Sequence, residues 1–171
     1  MIGAAVRRER WYGHAAPMAT VIGAMLLDLL WIPIPGFSAV SPAFPVMAVF
    51  CWAAWRPQLL PYTAIFAAGL FEDLVRGTPM GTASIALLAV QGFVWAQRRY
   101  LSTRSFEVLW LGFAVTALIA AAATWCAISF AYRNALSPWP GGMQYLLTVA
   151  AFPPVAFLLL RIERGLARVP S

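Results

Sequence analysis

Apolar residues make up 62% of this chain. They gather into six runs bounded by arginine, proline or glycine, and that segmentation limits the fold more than any other feature. A helix of about 20 apolar residues matches the hydrocarbon thickness of a bilayer. The runs predict helices over 15–34, 39–55, 59–76, 82–97, 106–132 and 143–160. Charge is correspondingly thin. There are 12 basic and 6 acidic residues in 171, or 11%, against roughly 25% in soluble chains. The mean hydropathy is +0.77. A soluble enzyme, a disordered tail and a nucleic-acid-binding domain are excluded on these figures, although a net charge of +6 and a pI near 10.2 would by themselves suggest nucleic acid. The expected class is an all-α polytopic membrane protein, a single six-helix domain over 1–171. Six spans leave only about 50 residues for loops and ends, too few for a soluble catalytic domain.

Every basic residue is arginine, and the arginines orient the bundle. With both ends in the cytoplasm, Arg7, Arg8, Arg10, Arg56, Arg98, Arg99, Arg104, Arg161, Arg164 and Arg168 fall inside. Arg76 and Arg133 alone face out. Trp11, Trp31, Trp55, Trp95, Tyr100, Trp110, Tyr132, Trp139 and Tyr145 fall near the expected interfaces. The excess positive charge is therefore read as a topology signal with attraction to anionic lipid headgroups. The first run is long enough to remain as an anchor rather than act as a cleaved signal peptide.

Ionisable groups inside a membrane usually meet a partner or water. Asp28, alone in the first run, is expected to pair with a neighbouring helix. A proton relay is the other reading, but it would need further buried acids or histidines. His14, the sole histidine, falls at the inner membrane edge. Glu72 and Arg76 are four apart, a spacing that suits an ion pair on one helix face. Asp73 is four residues from both Gly69 and Gly77, so small residues flank its carboxylate and would let another backbone approach closely. Asp73 can then accept from N–H groups of the Gly77–Gly81 turn and pin the third helix to the start of the fourth. The alternative is a docking or ligand site on the outer face. Pro153 and Pro154 predict a kink in the sixth helix, and Pro42 and Pro45 one in the second. Cys51 and Cys126 are read as small apolar packing residues, with neither a disulfide nor a metal spacing around them. No phosphate-cradling loop, metalloprotease motif, nucleophile elbow or serine–histidine pair is present, so no catalytic residue, cofactor or metal is expected. An intramembrane hydrolase would need Asp28 and Asp73 to meet at one depth.

The segment Gly69-Leu70-Phe71-Glu72-Asp73-Leu74-Val75-Arg76-Gly77-Thr78-Pro79-Met80-Gly81 resembles the signature of the MreD family of rod shape-determining membrane proteins. The matching positions are Gly69, Leu70, Asp73, Gly77, Pro79 and Gly81. Glu72 and Asp28 lie outside that pattern. A proline-containing second helix ending at Arg56-Pro57, and a last helix with Phe152-Pro153-Pro154 before a short basic tail, are similar to the family as well. The resemblance implies a non-enzymatic scaffold of the bacterial inner membrane that docks MreC and helps organise peptidoglycan synthesis and cell shape. It implies further association with MreB, RodA, the elongation-specific class B penicillin-binding protein and RodZ. It also implies a fold similar to the substrate-binding subunits of energy-coupling-factor transporters. A small-solute, vitamin-type binding subunit of a transporter is the alternative.

Because the cytoplasmic arginines set topology collectively, replacing any one with glutamine should leave the orientation of both termini unchanged. Labelling of single cysteines placed at each end, from either side of sealed vesicles, reads this directly.

Overall fold

A computed structural model of the protein describes residues 17–28, 41–101, 106–133 and 137–167. These form six α-helices, with no strand among the described residues: α1 (Pro17–Asp28), α2 (Phe44–Trp55), α3 (Tyr62–Arg76), α4 (Thr82–Leu101), α5 (Phe106–Tyr132) and α6 (Trp139–Ala167). A single 3-10 turn, Pro57–Leu59, joins α2 to α3. Arg7, Arg8, Arg10, His14, the Pro33–Gly36 turn, Arg104, Asn134 and Arg168 lie outside the described residues.

Helices α5 and α6 are long and apolar enough to cross a membrane, over Phe106–Tyr132 and Trp139–Arg161. Only 22% of the apolar window of each is buried inside the bundle. Leu111, Leu118, Phe130, Leu146 and Phe157 point outward instead. A water-soluble monomer rarely exposes so much contiguous apolar surface, whereas lipid would cover it.

Helix α2 differs from the expected span. It starts at Phe44, and its 12 residues reach only about 18 Å at 1.5 Å per residue. Pro45 sits in the first turn, where its missing N–H costs nothing and its fixed φ suits helix entry. The prolines of this run therefore start the helix rather than kink it. Every residue from Phe44 to Ala54 is buried, so α2 is a central helix packed against α4, α5 and α6. Its Trp52 indole donates to Thr20 Oγ1 of α1 at 2.7 Å. At its start, the Ala43 N–H donates to Thr148 Oγ1 of α6 at 3.0 Å. Phe50 of α2 meets Phe113 of α5 and Phe152 of α6 edge-on, with centroids 5.2 and 5.6 Å away. Phe113 and Phe152 stack at 4.0 Å. These rings fill the centre of the bundle where three helices converge.

Helix α6 is longer than expected at both ends and contains Pro153 and Pro154. Pro153 has no N–H to give the carbonyl four residues back, that of Val149. The Trp110 indole N–H of α5 donates to that carbonyl at 3.1 Å. A tryptophan read from the sequence as interfacial thus also repairs the defect that the proline makes. Cys51 is buried in α2, while Cys126 is exposed on α5, and both are free. Cys126 is therefore not a packing residue of the bundle.

Helices α3 and α4 approach closely at Gly69. A Cβ added at Gly69 would stand 2.4 Å from Ser84 Cα and 2.5 Å from its backbone nitrogen. The Ser84 hydroxyl donates to the Phe66 carbonyl across the same contact at 3.1 Å. Backbone cannot yield as a side chain can, so Gly69→Ala should destabilise the protein by about 1–3 kcal/mol, the usual range for overpacking. Gly92→Ala, where the added Cβ meets nothing within 4 Å, is the control. Thermal unfolding of the two variants in detergent should separate them.

Candidate functional site

The motif residues converge at one end of the bundle. Helix α3 ends at Gly77, whose φ of +67° is left-handed and favours glycine. The Gly77 and Thr78 N–H groups both donate to the Asp73 carbonyl, which closes the helix C-terminus. The Asp73 side chain turns toward α4. Its Oδ1 accepts from the Thr78 hydroxyl at 2.7 Å and the Ala83 N–H at 3.0 Å, and its Oδ2 accepts from the Gly81 N–H at 2.8 Å. Gly81, with φ of +98°, immediately precedes α4, and its carbonyl accepts from the Ile85 N–H, so its own N–H stands at the N-cap of that helix and that of Ala83 in the first turn. A carboxylate there satisfies orphan donors and meets the positive end of the helix dipole. Asp73 thus ends one helix through its backbone and caps the next through its side chain.

Other motif residues serve the same joint. The Pro79 carbonyl accepts from the Thr82 hydroxyl and N–H. Gly69 admits the α4 backbone one turn back. Leu70 lies half-buried on α3. Asp73 is 1% exposed, and both of its carboxylate oxygens are occupied. A carboxylate so engaged is poorly placed to serve as a base, which argues against pairing it with Asp28 in an intramembrane hydrolase.

Beside this joint, Arg76 bridges two acids. It forms an ion pair with Asp28 of α1 and another with Glu72 at 3.0 Å. Asp28 Oδ1 meets no donor among the described residues. The guanidinium is therefore what balances this carboxylate, whose side chain is 1% exposed. The helical spacing of Glu72 and Arg76 was readable in the sequence. The reach of Arg76 to α1 was not, since Asp28 and Arg76 are far apart in the chain.

A cavity of about 380 Å³ opens at the same end. Its walls include Glu72, Asp73 and Arg76 of α3, Thr82 of α4, Ala117 and Ala120 of α5, and Gln144 and Thr148 of α6. Small alanines and polar side chains share the wall. The α6 residues went unnoticed in the sequence, where polar groups spaced along an apolar run carry no local signal. Among the described residues, no three acidic, histidine or cysteine side chains are placed to hold a metal.

No family model, curated protein or solved structure matches the chain.

Removing Arg76 while Asp28 remains strands a buried carboxylate. Arg76→Gln should therefore destabilise the protein by about 3 kcal/mol, the lower range for breaking a buried pair. Adding Asp28→Asn should recover part of that loss. A double-mutant cycle by thermal unfolding checks the coupling, and simple additivity would mean that the pair carries none.

Proposed function

We propose that this protein is a non-enzymatic scaffold of the bacterial inner membrane. In this reading it has six spans with both ends in the cytoplasm, docks MreC and helps organise peptidoglycan synthesis in rod-shaped cells. The observation that carries the proposal is the Asp73 joint. Gly69, Asp73, Gly77, Pro79 and Gly81, the positions that resemble the MreD signature, all meet in one small structure. Such a joint holds two helices in one arrangement and performs no chemistry. The apolar outer faces of α5 and α6 suit lateral docking of a partner's membrane helix, since interfaces in lipid depend on packing. MreB, RodA, the elongation-specific class B penicillin-binding protein and RodZ are the further partners of this reading. The similarity to energy-coupling-factor substrate subunits belongs to it as well. In this reading the cavity end of the bundle faces out: Arg76 is the last residue of α3, Arg133 follows α5, and Arg56 follows the other end of α2.

The cavity favours a second reading, a small-solute binding subunit of a transporter. Tight binding of a vitamin-like solute by the purified protein, together with dissociable ATPase partners, would establish it in place of the scaffold.

In the scaffold reading, Asp73→Ala loosens the joint and should lower recovery of MreC after mild detergent extraction several-fold, with loss of rod shape. Unchanged co-purification and normal rods would remove Asp73 from that role.

A further inference from the structure

We infer that the cavity holds a ligand with a primary ammonium group, seated on Glu72. This rests on reading the cavity as a ligand site and is independent of the scaffold role. A volume of about 380 Å³ lies within the range of small-molecule sites, roughly 300–1,000 Å³. Charge then selects the class of ligand. The Asp73 carboxylate is satisfied by the first turn of α4. Arg76 is the one cation among the described residues lining the cavity, and it is shared between Asp28 and Glu72. With both acids ionised, two carboxylates on one guanidinium leave one negative charge in excess. In a site of low dielectric that excess calls for a positive partner.

Glu72 is where that partner fits. Its side chain is 10% exposed and forms part of the cavity wall. Arg76 engages Oε1, while Oε2 meets no donor among the described residues. Tyr145 and Gln144 also line the cavity. An ammonium group brings a positive charge and three donors, of which Glu72 Oε2 can accept one. An anionic group seated there would add to the excess charge, and an uncharged group would leave it unbalanced. The ammonium has two natural sources, the headgroup of phosphatidylethanolamine and a free small amine.

The test uses the full-length protein in nanodiscs of phosphatidylcholine doped with either phosphatidylethanolamine or phosphatidylglycerol, and titrates ethanolamine separately. Native mass spectrometry reads retained lipid, and the fluorescence of Trp125, which lines the cavity, reads the amine. Selective retention of phosphatidylethanolamine, or saturable ethanolamine binding, supports the inference and distinguishes the lipid from the free source. Glu72→Gln should reduce it at least tenfold while thermal unfolding shows a folded protein. Equal retention of phosphatidylglycerol, or retention unaffected by Glu72→Gln, would overturn the ammonium assignment alone and point to a proton on Glu72 as the balancing charge. Absence of any lipid or amine binding to folded protein would remove the cavity itself as a ligand site.

Discussion

The hydrogen bonds of Asp73 are the interaction on which the cavity end of this bundle depends. Its backbone carbonyl closes α3, and its side chain caps α4. Helix termini leave unpaired N–H and C=O groups, and in an apolar setting each unmet group is costly. A turn as short as Gly77–Gly81 must satisfy both termini within a few residues. One short acidic side chain at the last turn of α3 does so. The two left-handed glycines let the chain turn back, and the bare Gly69 lets α4 follow α3 at backbone distance.

The rest of the bundle is organised around a different constraint. Helix α2 is buried all round, so it needs neither an amphipathic face nor the full thickness of a bilayer. Phe50, Phe113 and Phe152 lock it between α5 and α6. Thr20 and Thr148 tie its two ends to α1 and α6. Trp110 meets the carbonyl that Pro153 leaves free, which lets α6 run continuously through a residue that would otherwise weaken it. Several buried polar side chains tie one element to another, among them Asp28, Asp73, Ser84, Gln91 and Thr148.

Local signals in the sequence reached as far as local interactions do. The runs 106–132 and 82–97 match α5 and most of α4 because apolar length and an uninterrupted backbone are properties of consecutive residues. The Glu72–Arg76 pair and the flanking of Asp73 by glycines followed from helical spacing. The second run was read too long. Periodicity does not reveal that Pro42 and Pro45 delay helix entry, nor that a short helix suffices when it is buried on every side. Cys126 was misjudged for a similar reason, since an apolar run does not say which of its faces meets protein.

The sequence by itself determined an apolar helical chain and a turn built from Gly69, Asp73, Gly77, Pro79 and Gly81. Composition and short-range spacing are enough for that. Only the tertiary structure decided that Asp28 answers Arg76, that α2 lies at the centre, and that Gln144 and Thr148 share a cavity wall with Glu72. Each of these joins residues from helices well separated in the chain, and their partners are chosen by how the helices pack.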